Sequence, residues 1–115
     1  MKIPNYTLYG DYYLSDKVFN YTNWKEACEM REEIILPNGK IVFAHTLSKE
    51  ELETIPKKDC DKWYWTNTSN GCGAAWFVGH NGNFGYNDVS NYGYYGGTRL
   101  GFHKNEIKKQ LLDIE

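Results

Sequence analysis

The spacing of apolar and polar positions changes along the chain, and each change marks an element. Residues 6–21 alternate aromatic or apolar with polar positions (Tyr6, Leu8, Tyr12, Leu14, then Val18 and Phe19), the period of one or two N-terminal strands. The spacing then lengthens. Trp24, Ala27, Cys28 and Arg31 at i, i+3, i+4 and i+7 predict a helix, and Asn23 with Glu26 has the form of a capping box at its start. Ile34-Ile35-Leu36 and Lys40-Ile41-Val42-Phe43 flank Pro37-Asn38-Gly39, which predicts a hairpin because Asn and Gly tolerate the positive φ of a tight turn. Ser48 with Glu51 repeats the capping-box spacing before a short helix bearing Leu52 and Ile55, with Pro56 as its stop.

After a charged linker at 57–62 come four aromatic-centred strands: 63–68, 74–80, 83–88 and 97–102. Asn81-Gly82 is expected to join the second and third as a two-residue turn. In 74–80, Trp76 and Val78 share one face, and Ala75 and Phe77 the other. The connection 90–97 carries Asn91, Tyr92, Tyr94 and Tyr95 among glycines. Residues 105–114 place Ile107, Leu111 and Ile114 on one stripe, a terminal amphipathic helix that should dock on the body or on a partner.

A chain of 115 residues makes one domain, 1–115. Its aromatic content of 17%, with ten Tyr and four Trp, exceeds what so small a core needs, so some tyrosines should face solvent. The net charge is −2 and the 13 basic residues form no stripe, which argues against nucleic-acid binding. Lys104, Lys108 and Lys109 read as a solvated helix face. No apolar run is long enough to span a membrane and the first residues do not open a signal peptide. Cys28, Cys60 and Cys72 make a poor disulfide framework, and free thiols fit a reducing cytoplasm. Asn-x-Ser/Thr triplets at Asn5, Asn20 and Asn67 read as coincidence in an Asn-rich chain. Richness in Asn, Lys, Ile and Tyr suggests an AT-rich genome, that of a low-GC bacterium or its phage.

The order of a Trp24-bearing helix, a helix start at Thr46-Leu47-Ser48-Lys49-Glu50-Glu51-Leu52, then Tyr64-Trp65-Thr66, Ala75-Trp76-Phe77-Val78, Asn81-Gly82-Asn83-Phe84 and Thr98-Arg99-Leu100 resembles the bacterial and phage C-type-lectin-like domains. These include surface domains related to formylglycine-generating enzymes and the variable proteins of diversity-generating retroelements. The resemblance spans roughly residues 20–102. It implies an α+β, C-type-lectin-like fold, with two helices packed on small antiparallel sheets, to which this chain adds a C-terminal amphipathic helix. It also implies a structural core of Trp24, Trp65, Trp76, Arg99 and Phe102, with ligand contacts in the loops 69–73, 87–90 and 91–97. Ala44-His45-Thr46 departs from the family's Arg-Leu-Pro lead-in. Cys60 and Cys72 lie in no motif matching the copper-binding cysteine pair of the formylglycine-generating branch, so that activity does not carry over.

Catalytic readings are thin. Cys72 with His80 or His103 would need a third group to orient the base, and nothing in the spacing supplies one. His45, His80 and Asp88 lack metal-ligand spacing, and Asn83, Asn87 and Asp88 offer calcium oxygens without the clustered carboxylates a site requires. Gly71-Cys72-Gly73 and 93–97 lack the Lys-Ser/Thr ending of a phosphate loop. The sequence therefore points to a non-enzymatic binding module, without cofactor or metal, that meets another protein through Asn70, Tyr86, Asn87, Asn91, Tyr92, Tyr94 and Tyr95. A phage product acting on a host defence protein, as an inhibitor, is one form of that reading. Recognition of a glycan or receptor at a virion or cell surface is the second, a small enzyme the last, and self-association through the terminal helix stays open.

Overall fold

The computed structural model describes residues 3–20, 23–55, 63–71, 73–79, 82–89 and 97–112. They form an α+β domain with two five-stranded sheets and three short helices. The first sheet runs β1 (Tyr6–Tyr9), β2 (Tyr12–Ser15), β10 (Leu100–His103), β5 (Ile41–Thr46) and β4 (Arg31–Ile35), all antiparallel. The second runs β3 (Phe19–Asn20), β9 (Gly97–Thr98), β6 (Tyr64–Gly71), β7 (Ala74–Val78) and β8 (Phe84–Asp88), with β6 and β9 parallel.

Local chemistry sets several of these elements. The N-terminal alternation becomes the β1–β2 hairpin, turned at Gly10 with φ 61°. At 36–40 the chain closes through Leu36 N–H to the Lys40 carbonyl at 2.8 Å, and Gly39 takes φ 85° as its turn demands. Helix α2 (Lys49–Glu53) carries a complete capping box: Ser48 Oγ accepts from Glu51 N–H at 3.0 Å, and Glu51 Oε1 accepts from Ser48 N–H at 2.9 Å. Pro56, its expected stop, lies outside the described residues.

Elsewhere the structure corrects the periodicity. Helix α1 (Trp24–Glu29) ends before Arg31, which opens β4. From the strand, Arg31 Nη1 reaches back to donate to the carbonyls of Cys28 at 2.9 Å and Met30 at 2.7 Å, placing a cation at the helix C-terminus. The i+7 match was therefore a cap, not a helical position. Gly79 N–H donates to the Asn83 carbonyl at 2.7 Å, so the connection after β7 holds three residues rather than a two-residue Asn81-Gly82 turn. The expected strand at 97–102 breaks in two. Thr98 pairs with Phe19 and Trp65 in the second sheet, and Leu100 pairs with Thr46 in the first, so the chain changes sheet at Arg99.

That crossing is buried. Arg99 is 5% exposed; its Nε donates to the Ser15 carbonyl at 2.7 Å, and its guanidinium lies 5.3 Å from the Tyr64 ring centre and 5.8 Å from that of Tyr9. Ser15 Oγ accepts from Leu100 N–H at 3.1 Å within the first sheet, and the Thr46 and Thr98 hydroxyls meet at 2.8 Å, tying the two sheets together. Arg99, expected in the core, is buried with a backbone carbonyl as its partner.

Three apolar clusters follow from the layers. One face of the first sheet (Tyr13, Ile34, Val42, Ala44, Leu100, Phe102) packs with Ile3, Tyr6 and Ile107 of α3 (Lys104–Leu112). The terminal helix thus docks on the body; the side chains of Leu111 and Ile114 lie outside the described residues. Leu14, Leu47, Leu52, Ile55, Tyr64 and Val78 form a second cluster between the sheets, and Ala27, Trp65 and Ala75 a third beneath α1.

Candidate functional site

Strand β8 is the end strand of its sheet among the described residues, and it carries Tyr86, 63% exposed. Alternation along β7 and β8 decides what stands beside it. Trp76 faces Tyr86 directly across the strands, and Val78 faces Phe84, so these four side chains share one face. Val78 is fully buried in the inter-sheet cluster, whereas the Trp76 end of the face rises out of it. The rings of Trp76 and Tyr86 meet edge to face at 5.5 Å.

The ledge has a cationic end. Lys49, the first residue of α2, holds Nζ 4.9 Å from the Trp76 ring centre and 5.0 Å from that of Phe84, and it pairs with Glu53. Its backbone N–H donates to Thr68 Oγ1 at 3.0 Å, which pins the helix start to β6. The result is a strip of one exposed and one partly buried ring beside a lysine.

Trp76, expected in the core, is only partly buried and belongs to none of the three apolar clusters. The inward Ala75 and Val78 are fully buried, but Trp76 is only half-buried because the second cluster ends at Phe84 and Val78. Trp65, one strand inward, is fully buried and meets Trp63 edge to face at 5.1 Å. Trp24 is half-buried, its indole N–H donating to the Thr66 carbonyl at 2.9 Å, and Phe102 is 1% exposed.

The remaining candidate contacts do not converge. Asn87 follows Tyr86 on a strand, so it points to the opposite face, and its Oδ1 accepts from Asp88 N–H at 2.8 Å. Asn70 is exposed, but it lies within β6 rather than in a loop. Asn91, Tyr92, Tyr94 and Tyr95 lie outside the described residues, as do Cys60, Cys72 and His80. Asn87 and Asp88 on opposite faces do not build the calcium oxygens considered above, and His45 and Asp88 stand in different sheets. Among the described residues no three His, Cys, Asp or Glu side chains gather as metal ligands. Cys28 is a free thiol; burial pushes its pKa up, with Glu29 adding to the rise and Arg31 opposing it, so it is a poor nucleophile.

Lys49 and Phe84 complete the ledge without having been singled out as contacts. Phe84 carried a visible signal, two residues from Tyr86 on the same strand face. Lys49 carried none, because its ring contacts join a helix start to a strand far along the chain. No helix among the described residues is long and apolar enough to cross a membrane. No family model, no curated protein and no solved structure matches this chain.

Proposed function

We propose that the chain is a non-enzymatic binding module whose partner is another protein, and that the Trp76–Tyr86 ledge is part of the contact surface. The observation that carries this reading is a large ring, Tyr86, held 63% exposed by edge-to-face packing on Trp76 along an end strand. Exposed, rigid aromatic rings are the side chains that dominate protein interfaces, since they bury much area at little entropic cost. A sheet edge adds main-chain donors and acceptors for an extended partner segment. The loop tyrosines Tyr92, Tyr94 and Tyr95 belong to the same proposal as neighbours in sequence of β8.

The reading of the fold as a divergent C-type-lectin-like domain is also a proposal. It rests on the order of the Trp24 helix, the Ser48-capped helix and the Tyr64-Trp65, Ala75-Trp76 and Thr98-Arg99 segments, and on the α+β architecture that holds them.

The test is affinity capture with the tagged chain and with Tyr86→Ala, followed by identification and titration of what is retained. The expected result is one protein bound stoichiometrically by the parent and at least about ten-fold more weakly by the variant, with an unchanged melting temperature. Equal affinity for Tyr86→Ala would remove the ledge from the interface. Capture of a defined glycan, with no protein bound, would replace the protein partner with a carbohydrate one.

A further inference from the structure

A polar–apolar hollow lies on the first sheet, bordered by Glu51 of α2. Register puts Tyr12, His103, Gly101, His45, Phe43, Ile41 and Ile35 on one face. The β2 side of that face is covered by the inter-sheet cluster, while Phe43 is 53% exposed and Ile41 38%. Where cover ends, a pocket of about 400 Å³ opens, lined by Ile41, Phe43, His45, Glu51, His103 and Glu106 among others. That size falls within the range of small-molecule sites.

The two imidazoles are held in opposite tautomers by the backbone. His45 Nδ1 lies 3.1 Å from the Thr46 carbonyl, an oxygen that only accepts, so in the neutral ring Nδ1 carries the proton and Nε2 keeps a lone pair. His103 Nδ1 accepts from Asn105 N–H at 3.0 Å, so in the neutral ring Nε2 carries the proton. One histidine thus has an acceptor to offer and the other a donor, on neighbouring strands. Tyr12 packs edge-on against His103 at 4.9 Å between ring centres, which steadies that ring. Burial, then the carboxylates of Glu51 and Asp11, hold the Tyr12 phenol above its ordinary pKa, so it remains neutral.

Charge narrows the ligand. Glu51 is anchored by its capping box and Glu106 lines the same hollow, so an anionic group would meet two carboxylates. We propose that this pocket binds a small uncharged organic molecule with an apolar body and an amide-like edge, its donor toward His45 Nε2 and its acceptor toward His103 Nε2–H. Phe43 and Ile41 supply the apolar wall. The proposal is independent of the ledge and of the protein partner.

Benzamide and benzoate serve as probes, titrated into the ¹⁵N-labelled chain while the imidazole nitrogens are followed by long-range ¹⁵N–¹H spectra. Before addition, His45 should show its proton on Nδ1 and His103 on Nε2. Benzamide should shift both Nε2 signals saturably, and benzoate should leave them in place. His103→Asn keeps a short-side-chain acceptor for the Asn105 N–H but removes Nε2, so the variant should fold and bind benzamide about ten-fold or more weakly. Reversed tautomers, no benzamide shift up to its solubility limit, benzoate binding as tightly as benzamide, or unchanged affinity in folded His103→Asn would each overturn the proposal.

Discussion

Trp65 and Trp76 stand on adjacent strands of one sheet, each inside a short aromatic motif, and the fold gives them opposite roles. Trp65 lies on the central strand β6, facing α1, where Ala27 and Ala75 bury it and Trp63 packs against it. Trp76 lies one strand nearer the edge and on the other face, where Lys49 and Tyr86 are its visible neighbours. An aromatic residue in a strand is thus core or partly solvent-facing according to two things: its face, and its distance from the sheet edge. The motif alone does not distinguish them.

The sharpest way to break that contrast is truncation. Trp65→Ala should cost about 3–5 kcal/mol, as expected for removing a fully buried ring. Trp76→Ala, with part of its area already in water, should cost less, about 2–3 kcal/mol on area grounds. Urea denaturation of both variants reads the difference, and equal losses would mean that the two rings are equally buried in solution.

A smaller effect separates the same two regions at glycine. A Cβ at Gly101 would stand 2.5 Å from the Tyr13 carbonyl oxygen, a backbone atom inside the first sheet, whereas at Gly85 it would meet the Phe77 ring at 2.8 Å. Gly101→Ala should therefore lose about 1–3 kcal/mol through overpacking. Gly85→Ala should lose less, about 1 kcal/mol, because the tip of a partly buried side chain gives way more readily than a backbone carbonyl inside a sheet. Thermal melts of the pair test this, and a costlier Gly85→Ala would contradict a yielding edge.

The smallest effect appears only in alkali. Tyr6 donates to Glu32 Oε1 at 2.6 Å; burial first, then that hydrogen bond and the Glu32 charge, raise its pKa well above the ordinary tyrosine value. The folded chain then keeps the proton that the unfolded chain releases above about pH 10. Since unfolding releases a proton in that window, stability present below it falls as pH rises through it. Tyr6→Phe should flatten this alkaline decline relative to the parent, and an equally steep decline would assign it to other groups.

Local signals carried much of the fold. Ser48 with Glu51, Asn23 before α1, Pro37-Asn38-Gly39 and the alternation through Tyr6 to Leu14 each act over a few residues, so their chemistry is readable without neighbours. Less of the site was legible. Tyr86 is exposed, as a surface position would be, but grouping it with Asn87 ignored the pleat, and assigning Trp76 to the core assumed cover that α2 does not extend. Arg31 matched a helical spacing while serving as a cap from the next strand.

By itself, then, the sequence determined the capped helix starts, the hairpin at Gly39 and the α+β class. These depend on backbone preferences and short-range hydrogen bonds. Tertiary structure decided the change of sheet at Arg99, the partial burial of Trp76 and the placing of His45 and His103 on neighbouring strands of one sheet. Each depends on which strands become neighbours, and that is settled by burial across the whole domain rather than by spacing along the chain.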